Sequence, residues 1–363
     1  MIPKQLIKLH FQSPIHLSKG RGNQESSFEV LHSDTLKSAI YYNALILFGE
    51  ENLLKGQGTQ CSFMDAFRIT SAFPFFKQQL FFPKPQITLP DIEGIDSSKQ
   101  RKAKKKIQFL NHQYFEALIN GNLAAIKAEH LVLNGSYING LPEFKQPSNS
   151  PLLGKEDRTI DIIETPFMAS KVQQKVMVPR AEDVDSDTYY MDRIYFQKEA
   201  GLFFLIEYKA GIFEGIEQTV QAALTLLGEN GIGSDRNTGN GQFIATFEKE
   251  LPFRIPANGE KQMNLSLYCP NQQADVDKMM DKESAFRLLK RGGFIASPTY
   301  IDHITYRKKS IYMIAEGAVF PNVTLEGKMA DLKPDPKAFP KNEKPLEHAI
   351  WREGRAIFIP VKA

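Results

Sequence analysis

Apolar and polar residues alternate at the start of the chain, and a helical period follows. Ile7, Leu9 and Phe11 alternate with polar neighbours, which predicts a half-buried strand. Residues 32–49 then repeat apolar side chains at the spacing of one helical face, which predicts a helix. Ser33 or Asp34 is the predicted N-cap, and Gly49 is the predicted end of the helix. The predicted buried stripe consists of Leu36, Ile40, Ala44 and Leu47.

The second half of the chain restarts the same pattern. Residues 201–208 are a nearly continuous apolar run, which predicts a strand in the centre of a sheet. Residues 211–228 have apolar side chains on one helical face and are expected to end at Gly228. Residues 243–248 alternate again, as a strand does. Strands and helices succeed one another in both halves, and we therefore expect an α+β fold.

Two ferredoxin-like (RRM-like) domains of the β-α-β type are predicted from this repetition. Residues 1–145 form the first, and residues 201–363 form the second, with a glycine-rich loop at 228–243. Between them, residues 146–200 are rich in Pro, Ser and Asp. We expect a linker there, followed by a protruding β-hairpin within Val176–Phe196.

The charge of the chain limits the kind of nucleic-acid contact it can make. The net charge of the 363 residues is only +3, whereas a free-standing nucleic-acid binder has a stronger basic excess. Any such contact is therefore expected to be local or shared with partner proteins. The densest basic run, Lys99–Lys106, is expected to begin a helix that continues to Gly121. This run is either a solvated helix face or an electrostatic contact with nucleic acid or an acidic partner.

Cysteine use and hydropathy favour a cytoplasmic protein. Cys61 and Cys269 are far apart and suit no metal spacing or disulfide framework. The N-terminus has no apolar core of a signal peptide, and no run approaches the about 18 apolar residues of a membrane span. His112, His130 and His348 share no metal-like spacing. We therefore predict no metal site, no cofactor and no membrane contact.

The glycine-rich loop, "GENGIGSDRNTGNGQF" at Gly228–Phe243, first suggests a nucleotide fingerprint. A dinucleotide site needs G-x-G-x-x-G between a strand and a helix, but Arg236 stands at the third glycine position. The Gly-Lys-Ser/Thr end of a Walker loop is also absent. In addition, the loop follows a predicted helix and precedes a strand, which puts the helix N-terminus on the wrong side. Both nucleotide-enzyme interpretations are excluded.

The loop nevertheless has the residue types of a backbone clamp. Its glycines allow a close approach to a ligand, its small polar residues supply donors, and Arg236 offers a planar guanidinium to a phosphate or a base. The alternative is a long loop that needs glycines only in order to turn.

The order of short motifs along the chain resembles the RAMP superfamily of CRISPR proteins, and more narrowly the fourth subunit of the type III-A (Csm) effector complex. The loop resembles the glycine-rich loop of that superfamily. The other matching segments, in order, are "FQSPIHLSKG", "HSDTL", "FRITSAFPFF", "FFPKP", "VMVPR", "MDRIYF", "SIYMIAEGAVF" and "REGRAIFIPV". Together they span almost the whole chain.

This resemblance implies a non-catalytic RNA-binding subunit. Such proteins hold the repeat-derived 5′ handle of the guide crRNA, bind the large multidomain signalling subunit, and contact the adjacent RAMP backbone subunit through a hairpin thumb. Asp235 departs from the expected pattern, because small or basic residues are expected there. A carboxylate repels phosphate, so Asp235 is expected to pair with Arg236 or with a base edge.

Candidate RNA-binding residues fall into three groups. They are His16, Ser33, Thr35, Lys37, Arg68 and Ser71 in the first domain; Arg180 and Arg193 on the two arms of the hairpin; and Gly231, Gly233, Ser234, Arg236, Asn237, Thr238, Gly239 and Gly241 in the loop. Ser33, Thr35 and Lys37 lie in the predicted first turn of the first helix, where free N–H groups and the helix dipole favour a phosphate. Simple capping is the alternative for these residues, and stabilisation of the fold is the alternative for Arg68 and Ser71.

Two other functions stay open at this point. RAMP relatives that cut repeat RNA use a histidine as general acid–base, and His16 and His32 are the candidates for a metal-independent endoribonuclease. The chain could also be an adaptor whose basic residues contact only protein.

Overall fold

The computed structural model of the chain describes residues 4–18, 27, 29–54, 62–141, 143–144, 163, 166–178, 186–295, 306–339, 346 and 348–362. The helices are α1 (Ser33–Phe48), α2 (Glu50–Leu53), α3 (Ser62–Asp65), α4 (Ser97–Lys106), α5 (His112–Ile119), α6 (Ile216–Asn230) and α7 (Gln273–Met279). The strands of the first part are β1 (Lys4–Phe11), β2 (Phe67–Ile69), β3 (Phe73–Phe76), β4 (Gln79–Pro83), β5 (Ile92–Glu93), β6 (Phe109–Asn111), β7 (Leu123–Lys127), β8 (Leu131–Val132), β9 (Tyr137–Ile138) and β10 (Glu143–Phe144). Those that follow are β11 (Met168–Met177), β12 (Asp187–Phe196), β13 (Ala200–Tyr208), β14 (Phe243–Glu248), β15 (Lys261–Asn264), β16 (Leu288–Arg291), β17 (Ile311–Ile314), β18 (Val319–Pro321), β19 (Met329–Asp331), β20 (Trp351–Glu353) and β21 (Phe358–Val361).

The largest sheet combines strands from both ends of the chain. Within the described residues its order is β14-β1-β13-β3-β4-β6-β9-β8, and β2 also pairs with β13. β1 lies antiparallel between β13 and β14, and α1 and α6 follow β1 and β13 along the chain. Among these elements, β1, α1, β2, β13, α6 and β14 follow the order β-α-β-β-α-β along the chain, with β3 to β12 inserted between β2 and β13. The α+β class is confirmed.

Apolar cores cover both faces of this sheet. Because strand side chains alternate, Ile7 and Leu9 of β1 pack with α1 and α6 on one face, while Leu6 packs on the other. On that second face the rings of Phe82 and Phe115 stack with centroids 4.3 Å apart. β13 is buried on both faces, as its apolar run predicts.

The predicted domain boundaries do not separate two sheets. β1, from the predicted first domain, pairs with β13 and β14, from the predicted second domain. The division into 1–145, 146–200 and 201–363 stays a prediction, and it does not correspond to a division of the main sheet. The two ferredoxin-like domains also stay a prediction.

The helix predicted to begin with the basic run and to continue to Gly121 is wrong in its length. α4 ends at Lys106, and Phe109–Asn111 form β6 before α5 begins. β6 is fully buried and pairs with β4 and β9, so pairing in the sheet overrides the local helical pattern. Helix α6 also continues beyond Gly228 and is capped at Gly231, whose N–H donates to the Leu227 carbonyl (2.8 Å).

A two-stranded hairpin lies where a protruding one is predicted. β11 and β12 pair antiparallel from Met168 opposite Phe196 to Met177 opposite Asp187, so the first arm begins earlier than predicted. Arg180 and Pro179 lie outside the described residues. The base of the hairpin is joined to the segment after β1 through reciprocal main-chain bonds between Ile15 and Ile194 (3.0 and 2.8 Å). The role of a thumb stays a prediction.

Candidate nucleic-acid interface

The glycine-rich loop is held in place by main-chain hydrogen bonds. It connects α6 to β14, in the order that excluded a nucleotide fingerprint. The N–H of Ile232 donates to the Gly241 carbonyl (2.9 Å), which closes the loop on itself. The N–H groups of Gly241 and Ser234 donate to the carbonyls of Pro14 (2.8 Å) and His16 (3.0 Å). The loop is therefore fixed at both ends to the segment that follows β1.

Glycine is required at two close approaches in this loop. Gly233 has φ 98°, and a Cβ there would lie 2.6 Å from the His16 carbonyl oxygen. Gly241 has φ 74°, and a Cβ there would lie 1.9 Å from the Ile232 carbonyl oxygen. Both angles lie in the left-handed region that disfavours side chains. These glycines let the loop pack tightly on the protein's own backbone, so their contact with RNA stays a prediction.

The tip of the loop faces solvent. Arg236–Thr238 form a 3-10 turn, and Arg236, Asn237, Thr238 and Gly239 are exposed. The guanidinium carbon of Arg236 lies 5.8 Å from the centroid of the Tyr42 ring on α1. This cation–π contact positions the side chain and leaves its N–H donors available to a ligand. The structure thus presents the predicted polar residues of the loop together on one surface.

Asp235 pairs with the hairpin, and the expected pairing with Arg236 is wrong. Its carboxylate accepts hydrogen bonds from Lys175 of β11 and Arg193 of β12. Burial alone raises the pKa of Asp235, but these two hydrogen bonds outweigh burial and hold the pKa below its ordinary value. The hairpin and the glycine loop are therefore linked by a charged contact. Lys175 was missed because its proximity to Arg193 and Asp235 depends on the hairpin register.

His16 is a buried contact between the same segments. It is 1% exposed, and its Nδ1 donates to the Asp192 carbonyl oxygen (2.6 Å) of β12. Its own carbonyl accepts from Ser234 of the loop. Nε2 is buried and has no hydrogen-bond partner among the described residues. His16 therefore joins the hairpin to the loop through buried hydrogen bonds and does not itself reach the surface.

The predicted sites near the start of α1 are internal. Ser33 Oγ accepts from the Leu267 N–H (3.0 Å), and the Ser33 N–H donates to Ser71 Oγ (2.8 Å). Lys37 is 0% exposed and donates to Glu353 Oε2 (2.6 Å), and burial lowers its pKa to about 8. Such side chains cannot reach a ligand while the fold is intact.

Thr35 and Arg68 lie in the same region. Thr35 Oγ1 accepts from an Arg291 guanidinium N–H (2.9 Å). Arg68 lies on β2 and is partly buried. Ser33 and Tyr42 are nine residues apart on α1, so this internal group lies about 14 Å along the helix from the tip of the loop. The geometry favours fold stabilisation for this group and separates it from the loop surface.

The basic run forms an exposed helix. No residue of α4 is buried, although Lys104 pairs with Asp91 (2.6 Å). A shallow cavity of about 430 Å³ lies beside α4, where Lys84, Arg101, Lys104 and Lys105 contribute to its wall. This geometry is compatible with both interpretations of the run. Among the described residues, no helix has the length and apolar character needed to cross a bilayer.

Comparison with known proteins identifies what the chain resembles. The family described as the CRISPR Csm4 C-terminal domain matches residues 257–361. The Csm4 protein of Methanocaldococcus jannaschii is 24% identical over 385 residues, which cover 99% of this chain and 96% of that protein. The chain is a Csm4-like RAMP protein. Csm4 of Streptococcus thermophilus is 25% identical over 352 residues, covering 93% of this Csm4-like chain and 97% of that protein.

Solved structures share the fold of this Csm4-like protein. A chain of the Csm3–Csm4 subcomplex of the type III-A CRISPR-Cas interference complex superposes with a TM-score of 0.63 at 19% identity, covering 99% of this chain and 100% of that chain. A chain of the Csm1–Csm4 cassette in complex with cA4 has a TM-score of 0.54 at 20% identity and covers 99% of this chain and 98% of that chain. The predicted resemblance to the fourth Csm subunit is confirmed.

Proposed function

We propose that this Csm4-like protein is a non-catalytic RNA-binding subunit of a type III-A effector complex. It holds the 5′ handle of the guide crRNA and joins the large signalling subunit to the adjacent RAMP backbone subunit in antiviral defence. The resemblance to Csm4 along nearly the whole chain supports this assignment. The similar solved chains come from assemblies with Csm3 and with Csm1, which supports the two protein partners. The β-α-β-β-α-β order around β1 supports a ferredoxin-like unit.

The observation that carries the RNA-binding part is the exposed tip of a rigid loop. Arg236 and its polar neighbours are exposed on a backbone that is fixed by hydrogen bonds to Pro14 and His16. A preorganised surface loses little entropy when it binds, so a few donors can hold an RNA backbone firmly. Lys175 and Arg193 of the hairpin lie beside the loop, where both pair with Asp235.

The burial of the candidate histidines supports a non-catalytic subunit. His16 is 1% exposed and donates to a main-chain carbonyl, and His32 is bonded to Glu316 (2.8 Å). A general base must come within hydrogen-bond reach of the RNA 2′-hydroxyl, which a buried ring cannot do in this conformation. Cleavage of repeat RNA in EDTA by the purified complex, lost in His16→Ala or His32→Ala, would contradict this part.

The decisive experiment compares loop variants in the assembled complex. Complexes with Arg236→Ala or Gly233→Ala are co-expressed with the CRISPR array, and binding of the 5′ handle is measured by crosslinking and salt elution. Loss of Arg236 is expected to cost about 1.5–3 kcal/mol of handle binding, the scale of a hydrogen bond to a charged group. Arg254→Ala removes the same charge from an exposed position outside the loop and is the matched control.

Handle binding that stays at the wild-type level in both variants, within a correctly assembled complex, would exclude the loop as the RNA contact. An absence of any peptide–RNA crosslink from this subunit would favour the adaptor, whose contacts are with protein alone.

A further inference from the structure

Two cations of the hairpin converge on a single carboxylate of the loop. Lys175 and Arg193 both donate to the same oxygen, Oδ2, of Asp235. Asn240 Nδ2 lies 3.5 Å from that oxygen. The side chains of Lys175, Arg193 and Asp235 are only 22%, 12% and 12% exposed. The three groups therefore form a compact, largely enclosed charged site at the edge of the loop surface.

The hairpin presents these cations on one face. Lys171 lies opposite Arg193, and Lys175 lies four residue pairs further along opposite Tyr189, so alternation puts all three basic residues on the same side. Gln173, between them, accepts from the Arg193 guanidinium (3.0 Å) and fixes its orientation. The buried Nε of Arg193 has no hydrogen-bond partner among the described residues. Gln173 thus orients Arg193 independently of Asp235.

Backbone conformation does not explain an aspartate at this position. Asp235 has φ 67°, in the left-handed region. Asn adopts that region at least as readily and also supplies a side-chain oxygen. What Asp adds is one negative charge between two positive ones, and a phosphodiester carries the same charge on acceptor oxygens that suit a guanidinium equally well.

We propose that Lys175 and Arg193 form a binding site for a phosphodiester group of single-stranded RNA, and that the Asp235 carboxylate occupies this site in the free chain. When RNA binds, a phosphate replaces the carboxylate and Asp235 turns toward solvent. The proposal rests on the proposed RNA-binding function and adds Lys175 and a competing internal anion to it. Asp235 thereby disfavours weakly held RNA, since only a ligand with further contacts to the loop displaces it.

The test uses the full-length chain and two probes. Binding of fluorescein-labelled oligouridylate of about 20 nucleotides is measured by anisotropy across a salt series, and stabilisation by inorganic pyrophosphate is measured by thermal melting. Asp235→Asn is compared with Asp187→Asn, which removes the same charge from an exposed position on the same face of the hairpin, opposite Met177 and one same-face pair beyond Lys175. Asn keeps the size of the side chain and suits the left-handed backbone, so the variant is expected to fold.

Asp235→Asn is expected to bind oligouridylate about fivefold tighter at about 0.1 M salt with an unchanged salt slope, because RNA contacts Lys175 and Arg193 in both proteins and only the competing carboxylate is lost. Adding Lys175→Met and Arg193→Met removes this gain, and Asp187→Asn does not reproduce it. A second measurement avoids any change at Asp235: Lys175→Met in the wild-type background is expected to make the slope shallower by about 0.7.

Each other outcome separates the site from the function. Equal or weaker RNA binding by folded Asp235→Asn, or an equal gain in Asp187→Asn, overturns the proposal and leaves the proposed function standing. If neither protein binds RNA but pyrophosphate stabilises Asp235→Asn more than the wild type, the anion site stands and the RNA-binding function fails. If neither probe responds, the proposal is overturned as well.

Discussion

Asp34, at the start of α1, is expected to be the most sensitive charged residue of the fold. It is 0% exposed, and its carboxylate accepts a two-pronged contact from Arg291 (2.8 and 2.9 Å) and a third hydrogen bond from Arg352 (2.7 Å). Burial by itself raises the pKa of Asp34, but the charges of Arg291 and Arg352 outweigh it and hold the pKa well below its ordinary value. This carboxylate attaches the C-terminal part of the chain to α1.

Replacing Asp34 with Asn leaves two arginines without their counter-charge. Their side chains are only 15% and 11% exposed, so water cannot take the place of the carboxylate. Breaking a buried ion pair by removing one partner costs about 3–5 kcal/mol. We expect Asp34→Asn to lower the free energy of unfolding by that amount. Asp277→Asn, on the exposed side of α7, changes the same charge and is expected to cost less than about 0.5 kcal/mol.

Trp351 provides a local probe for this experiment. It is the single tryptophan of the chain and precedes Arg352, one of the two partners of Asp34. In a urea titration, Trp351 fluorescence should change at a lower urea concentration in Asp34→Asn than in the wild type. The decrease in the urea midpoint measured by Trp351 fluorescence should equal or exceed the decrease measured by circular dichroism. The reason is that the region around Trp351 is expected to unfold first when Asp34 no longer binds Arg352. A loss below about 1 kcal/mol, or an equal loss in Asp277→Asn, would refute the assignment of Asp34 as the central counter-charge.

Two further predictions concern pH and the glycines of the loop. Burial alone would raise the pKa of Glu353, but the charge of Lys37 and hydrogen bonds from Arg355 outweigh it and lower the pKa from 4.5 to about 2. The contribution of Glu353 to stability is therefore complete above about pH 4.5 and is lost as the pH falls toward 2. Urea titrations between pH 7 and pH 3 should therefore show falling stability on the acid side, with a smaller fall in Asp34→Asn because one of the depressed carboxyls is gone. Gly241→Ala should destabilise the protein by about 1–3 kcal/mol more than Gly239→Ala, since both glycines have positive φ but only Gly241 has a carbonyl 1.9 Å from the added Cβ. Equal losses in these two alanine variants, measured by urea titration, would show that φ alone determines the cost.

Local patterns predicted those elements whose structure depends mainly on their own residues. The apolar stripe of α1 is confirmed at Leu36, Ile40 and Ala44, which are fully buried, and the central position of β13 follows from its apolar run. Leu47, at the end of the predicted stripe, is 45% exposed because the helix extends beyond the core there. Residues 109–111 could not be assigned from their own pattern, since their strand exists only through pairing with β4 and β9.

In the candidate site, too, local features could be predicted from the sequence and long-range contacts could not. The helix-before, strand-after order of the glycine loop was predictable, and it is confirmed. The partners of Asp235 were not, because Lys175 is 60 residues away in the chain and meets Asp235 only through the hairpin register. A long-range ion pair leaves no periodic signal in the sequence, which therefore indicated only the neighbouring Arg236 or a base edge as the partner of Asp235.

Basic residues can be assigned to RNA only after the internal carboxylates have been taken into account. Lys37, Arg291, Arg352 and Arg355 all pair with buried or half-buried acids of the same chain. These four cations share three carboxylates of the same chain, and a phosphate would have to break an existing pair to reach them. Arg236 differs because its guanidinium rests on an aromatic ring that supplies no counter-charge. A chain with a net charge of only +3 thus presents, at the glycine loop, an exposed cation beside two further cations that share a single carboxylate.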